Sequence, residues 1–155
     1  MALNICLVQP EIPHNTGAIA RTCGLTQTRL HLVRPLGFST EDKYLKRAGL
    51  DYWHLVDISY YDDFSQVEER FKDSHIYLAT THGAKNYTTV QYEDEDVLVF
   101  GRETSGLSEE IHSRHPKNRI RIPMLKDYGR SLNLANSANI ILYEALRQLN
   151  FPGLE

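Results

Sequence analysis

The stretch LNICLVQPEIPHNTGAIARTCGL, residues 3–25, changes its period halfway along. LNICLV is a short apolar run, the pattern of a strand buried on both faces. The next residues are polar and carry two prolines, as a loop would. From Asn15 the spacing turns helical, with Asn15 as candidate N-cap and Gly24 as candidate stop. RLHLV (29–33) then alternates and predicts a second strand.

The alternation continues down the chain. TEDKYLKRAGL (40–50) predicts a helix with a Thr cap, acids early and bases late, as the helix dipole favours. HLVDIS (54–59) predicts a strand, and DDFSQVEERFK (62–72) a helix with apolar residues at 64, 67 and 71. HIYLATT (75–81) and DVLVFG (96–101) predict strands. LSEEIHSR (107–114) predicts a short Ser-capped helix, NRIRIPM (118–124) a strand, and residues 131–149 the last helix. The expected fold is α/β, a mostly parallel six-stranded sheet with helices on both faces. No repeat, low-complexity tract or linker interrupts the chain, so residues 1–155 are expected to form a single domain. Ligands of such sheets bind outside the carboxyl ends of the strands. The loops to inspect are QPEIPHNTG, TTHGAKN, GRETSGL and PMLKDYGRSLN.

Hydrophobic residues make up 41% of the chain, enough for a real core. No run of 18 apolar residues occurs, so no membrane span is expected. The start, MALNICLVQPEIP, lacks a basic n-region and predicts no secretory leader. Cys6 and Cys23 form no CxxC pair and read as buried, reduced thiols of a cytoplasmic protein. The seven histidines complete no familiar metal set and are expected at the surface. The net charge is −3, but it is unevenly spread. Residues 1–50 carry six basic and three acidic residues, residues 51–110 four and fourteen, and residues 111–155 seven and three. If the two ends meet, they make a basic patch on an acidic protein. Ordinary solvated faces are the alternative.

Familiar cofactor signatures are absent. The first turn, Gln9 to Gly17, has one glycine where a dinucleotide fold wants three, and no GxxxxGK[ST] occurs. Gly129-Arg130-Ser131-Leu132-Asn133 misses the final glycine of a GxSxG elbow, and the last histidine, His115, precedes Ser131. A hydrolase is therefore disfavoured. In FGRETSGL (100–107), Gly101 and Gly106 bracket Arg102-Glu103-Thr104-Ser105, which is either a tight turn or a place where backbone approaches a ligand. IPM (122–124) is either a strand end or an apolar wall for a flat ligand. HNTGAIART (14–22) puts Arg21 on the first helix, and a guanidinium suits phosphate.

The combination is more specific than its parts. Asn15-x-Gly17-x-x-x-Arg21-Thr22, then LVFGRETSGL, then RIPM followed by RSLNLANSANIILYEALRQ, closely resemble the three motifs of the SPOUT methyltransferases in their ribose 2′-O-methylating branch. The short length, the opening NICLVQPEIPHNTG and the internal KRAGLDYW look most like the minimal TrmL/YibK group. The resemblance spans nearly the whole chain.

The resemblance implies a SPOUT fold with a C-terminal trefoil knot. It implies S-adenosylmethionine as cofactor, S-adenosylhomocysteine as product, and no metal. The cofactor residues would be Ala79, Thr80, Gly101, Glu103, Gly106, Ile122, Pro123, Met124, Ser131 and Leu132. Arg21, Ser131 and Asn133 would be catalytic, and Asn15, Arg21, Arg130 and Tyr143 would meet RNA. Tyr143 serves equally well as a dimer contact. A homodimer would place Arg21 of one subunit at its neighbour's active site. The substrate would be the anticodon stem-loop of tRNA, methylated on the ribose of the wobble nucleotide, C34 or U34, in leucine tRNAs. Two departures stand out: Arg102 where some relatives have proline, and Ala79 where leucine is common. The rival reading is an RNA-binding module of this fold without catalysis.

The chemistry of the residues agrees with transfer to a hydroxyl. Positioning carries much of such catalysis. A guanidinium only donates hydrogen bonds, so Arg21 is expected to orient ribose and phosphate and to stabilise developing oxyanion charge; a direct base role needs an unusual local field. In the last helix Leu134, Ala138, Ile141, Leu142, Ala145 and Leu149 make an apolar face, widened by Ile140 and Leu146. Asn136, Ser137 and Asn139 read as small residues for close packing.

Overall fold

A computed structural model describes residues 2–39 and 50–155. The helix expected over 40–50 falls almost wholly outside the described residues. Among the described residues seven strands form one sheet in the order β3-β2-β1-β6-β4-β7-β5, and every strand pair in it is parallel. The strands are β1 Asn4–Val8, β2 Arg29–Val33, β3 Ile58–Tyr61, β4 Ile76–Ala79, β5 Lys85–Asn86, β6 Val97–Phe100 and β7 Arg119–Arg121. The helices are α1 Pro13–Thr26, α2 Phe64–Arg70, α3 Glu109–Arg114 and α4 Leu134–Gln148, with a 3-10 helix at Leu50–Leu55.

Strand alternation divides the core in two. Ile5, Leu7, Leu30, Leu32, Leu98 and Phe100 point to the face covered by α1 and α4. Cys6, Val8, Val33, Val97 and Val99 point to the face covered by α2 and α3. Side chains on both faces are buried, which is why β1 and β6 read as unbroken apolar runs. Burial also pushes the thiols of Cys6 and Cys23 far above their ordinary range.

Five expectations change. Among the described residues the sheet has a seventh strand, because Lys85–Asn86 pairs with β7 through Lys85↔Ile120 and Asn86↔Arg121. Both residues are exposed, so no apolar pattern marks them. The strand expected at 54–59 begins at Ile58, and the residues before it form the 3-10 helix. Val56 faces α1 at Gly24, where a β-carbon would stand 3.3 Å from Val56 Cγ2. Gly24 therefore lies inside α1 as a packing notch, and the helix ends at Gln27, which takes the left-handed conformation (φ 56°). Helix α1 also starts earlier, with Pro13 at its first turn and Ile12 as N-cap without a side-chain cap. In α4, Leu146 belongs to the core while Ile140 is exposed.

The expectation that all histidines lie at the surface also fails. His31 is fully buried on β2. Asn4 Nδ2 donates to the backbone carbonyl of Glu95, which leaves Asn4 Oδ1 to accept from His31 Nε2 at 2.8 Å. Arg70 donates to the Tyr61 hydroxyl, which stands 2.8 Å from His31 Nδ1 and donates to it. The ring is thus held neutral, and burial lowers its pKa from 6.5 to about 3. The folded state then binds fewer protons than the unfolded chain between these values. Stability is complete above pH 6.5 and falls as pH drops toward 3. From pH 7 to pH 5 the expected loss from this ring is about 2 kcal/mol. In an NMR titration the His31 ring should stay neutral at pH 5; a protonated ring at that pH contradicts the assignment.

Candidate active site

All the strands point the same way, so the loops after β1, β4, β6 and β7 gather at one edge of the sheet. The chain runs outward from β1 to β3 and then crosses to β4 on the other side. Ligand crevices form at such reversals. A cavity of about 750 Å³ opens there, within the size range of small-molecule sites. Ala79 and Thr80 enter it from the end of β4, followed by Thr81 and His82. Gly101 through Leu107 supply the loop after β6, and Ile122 and Met124 the segment after β7. Arg130 through Leu134, with Ser137, come from the start of α4.

The cavity thus brings together all the expected cofactor residues but Pro123. Asn133, Asn15 and Arg130 also line it. Arg21 and Tyr143 do not; both are exposed, Arg21 on α1 and Tyr143 on α4. The Tyr143 ring lies 6.5 Å from that of Phe151. Ser137, read as a packing residue, proves to line the cavity, whereas Asn136 is exposed. Sequence reasoning missed His82, His112 and Arg121. Their signal was absent because nothing in LSEEIHSR shows that the face carrying His112 turns inward.

The loop after β6 is a tight closure. Arg102 N donates to Gly106 O at 3.2 Å, and Gly106 N to Arg102 O at 2.9 Å. Gly106 has φ +67°, which favours glycine. Gly101 has no room for a side chain: a β-carbon would stand 2.6 Å from Gly106 O and nearer still to Gly106 C and Leu107 N.

This loop is clasped to the one after β1. Glu103 accepts from the backbone N–H of Glu11 at 2.9 Å and of Ile12 at 2.7 Å. It thus binds the two backbone N–H groups that lead into α1, where a carboxylate also suits the helix dipole. In return Glu11 accepts from Thr104 N and from the Thr104 hydroxyl, at 3.1 and 2.7 Å. These bonds hold the Glu11 carboxyl below its usual range. Arg102 Nε donates to Gln9 Oε1 at 2.9 Å, so its guanidinium also joins the two loops.

A hydrogen-bond chain then joins all three motifs. Asn15 Nδ2 donates to Glu103 Oε2 at 3.3 Å, and Asn133 Nδ2 donates to Asn15 Oδ1 at 3.0 Å. Asn133 Oδ1 accepts from Asn136 N and so caps α4. Both ends of the Asn15 amide are engaged inside the chain, and the residue is buried. Residues 15, 103 and 133 thereby fix the relative positions of three loops. Among the described residues no three of His, Cys, Asp and Glu cluster as a metal set.

The chain matches the SpoU rRNA methylase family over residues 2–143. It is 48% identical to the Methylovorus glucosotrophus tRNA (cytidine(34)-2′-O)-methyltransferase, over 97% of each chain. It superposes with a TM-score of 0.90 on a solved structure concerned with the 2-OH methylation of C/U34 on tRNA, at 40% identity over 96% of this chain and 97% of that one. An AdoMet-bound rRNA methyltransferase from Sinorhizobium meliloti gives a TM-score of 0.79 at 25% identity, over 95% of this chain and 56% of that one. A parallel sheet with this cavity at its carboxyl edge, matched over nearly its full length, makes this chain a member of the SpoU rRNA methylase family.

Proposed function

We propose that this protein transfers a methyl group from S-adenosylmethionine to the ribose 2′-hydroxyl of the wobble nucleotide, C34 or U34, of tRNA, with S-adenosylhomocysteine leaving and the hydroxyl proton passing to solvent, leucine isoacceptors being the first to test. The observation that carries this reading is the convergence of three loops on one cavity, braced by Glu103, Asn15 and Asn133.

The cavity suits the cofactor. Ile120, Ile122, Leu132 and Ile141 offer an apolar wall for a flat heterocycle, and Thr80, Thr104 and Ser131 offer polar contacts. Gly101 lets the loop after β6 close on itself at the cavity wall. S-adenosylmethionine, when bound, supplies an activated methyl group. Ser131 and Asn133, at the start of α4, hold the ribose or its phosphate in line with that group. Arg21, being a donor-only group, orients the ribose and stabilises charge growing on its oxygen. Asn15 acts by bracing the loops, since it is buried with both ends of its amide engaged, whereas Asn133, although it caps α4, stays exposed to a ligand. Arg130, exposed beside the cavity, contacts the RNA backbone.

The working unit in this reading is a homodimer of one-domain subunits. Leu25 on α1 (the helix that also carries Arg21), Ile140 and Tyr143 on α4, and Phe151 are large apolar residues left exposed. A subunit seated there covers them and carries its Arg21 to the neighbouring cavity, in keeping with the absence of Arg21 from the lining of its own chain's cavity. The trefoil knot belongs to the same proposal. It is supported by the path after β7, which passes through the cavity wall before α4 packs back on α1. Among the described residues no helix is long and apolar enough to cross a membrane. A tRNA substrate places the protein in the cytoplasm.

The test is transfer of labelled methyl from S-adenosylmethionine to tRNA, with the ribose mapped by mass spectrometry. Methylation at position 34 is expected. Binding of tRNA without transfer favours the non-catalytic RNA-binding module. Failure to bind S-adenosylmethionine or S-adenosylhomocysteine in calorimetry overturns the reading.

A further inference from the structure

One hydroxyl in the cavity wall has its direction set by a histidine. Thr80 follows β4 and lines the cavity, and His112 lies on α3 and lines it too. His112 is only 6% exposed. Its Nδ1 lies 3.1 Å from the Ser108 carbonyl oxygen, and its Nε2 3.0 Å from the Thr80 hydroxyl. A carbonyl only accepts. In the neutral ring Nδ1 therefore carries the proton, Nε2 offers a lone pair, and the Thr80 hydroxyl donates to it. The Thr80 oxygen also accepts from His82 N at 3.2 Å. With its proton committed to His112, Thr80 can offer a ligand only an acceptor.

We propose that His112 is a positioning residue: it holds the Thr80 hydroxyl as an acceptor for an N–H or O–H of the bound cofactor. The proposal rests on the S-adenosylmethionine reading. It deepens it by assigning a polarity to one wall of the site. His112 itself does not meet the reacting atoms.

The arrangement reverses when His112 is protonated. A protonated imidazole donates from both nitrogens. Nε2–H then donates to the Thr80 oxygen, which already accepts from His82 N. The Thr80 proton must turn toward the cavity, where it opposes a ligand donor. The other ionisable groups around His112 come from several elements. The His82 ring lies 6.1 Å away, edge-on, in the loop after β4. Arg119 on β7 donates to the His112 carbonyl at 2.8 Å. Glu109 on α3, Arg121 at the end of β7, and Arg102 and Glu103 in the loop after β6 share the cavity. Glu110, Arg114 and His115 complete the ionisable groups in and just after α3.

The experiment is calorimetric binding of S-adenosylhomocysteine between pH 5.5 and 8.5. Wild-type affinity is expected to fall about 5- to 10-fold toward acid, the effect of one reversed hydrogen bond. His112→Gln offers Thr80 an uncharged acceptor and should flatten the profile to within about twofold. Thr80→Val removes the hydroxyl at constant shape, and should bind more weakly at pH 8 with no acid slope. Circular dichroism reports whether each variant folds; if His112→Gln does not, Thr80→Val alone decides. An acid slope that survives in either folded variant overturns the proposal. A wild-type protein that binds no S-adenosylhomocysteine at any pH overturns the cofactor reading and this inference with it. Wild-type binding with unaltered variants overturns the inference alone.

Discussion

Gly101→Ala is expected to lose at least about a hundredfold in cofactor affinity, roughly 2.7 kcal/mol, and methyl transfer with it. The cause is backbone, not side chain. The new methyl would overlap Gly106 and Leu107, where the chain folds back on itself. A flexible side chain could swing away, but these atoms belong to a backbone pair closed by two hydrogen bonds between Arg102 and Gly106. Relief requires the loop to open. Opening it moves Glu103 off the Glu11 and Ile12 amides and unlinks Asn15. One methyl group thereby disturbs a cavity wall and the brace between motifs. Gly106→Ala is the internal comparison. Nothing lies within 4 Å of its β-carbon, and only its φ of +67° resists. That costs about 1 kcal/mol, so binding should weaken by about tenfold or less. Titration of both variants with S-adenosylhomocysteine checks the pair. Binding by Gly101→Ala within tenfold of wild type contradicts the packing argument.

How much of this was legible follows from the range of each interaction. β1 and β6 announce themselves because a strand buried on both sides is mostly apolar, and β2 through the alternation of RLHLV, both of them local properties. The cavity loops were legible for the opposite reason: GRETSGL and GRSLN are too polar and glycine-rich for the elements they join. The clasp was not legible. Glu103 holds the backbone N–H groups at the entry to a helix some ninety residues earlier, and a local rule made Asn15 the N-cap there. Asn15 instead serves Glu103 and Asn133 with its two amide ends. His31 and His112 escaped notice because composition treats histidine as a surface residue, whereas each is buried with both ring nitrogens engaged. Lys85–Asn86 joins the sheet through backbone alone, so no side-chain pattern could reveal it.

Arg21→Ala is expected to lower the methyl-transfer rate by about 10²- to 10³-fold, the scale of removing one donor that stabilises a developing oxyanion, while leaving dimer mass and cofactor binding intact. Arg21 is exposed on α1 and absent from the cavity lining, so its loss should spare the cofactor. That combination already separates a substrate-side role from a cofactor role. The decisive form of the experiment mixes variants. Ser131 lines the cavity of its own chain. If Arg21 serves the neighbouring cavity, a dimer of one Arg21→Ala chain and one Ser131→Ala chain holds one intact site and one doubly damaged site. After dissociation and random reassociation of equal amounts, half of the dimers are mixed, and about a quarter of wild-type activity should return. If Arg21 serves its own cavity, no site in the mixture is intact and activity stays at the level of the separate variants. Recovery of activity places Arg21 across the interface. Its failure, with mixed dimers shown by mass spectrometry, removes the shared active site from the proposal while leaving the cofactor cavity and its braced loops as they stand.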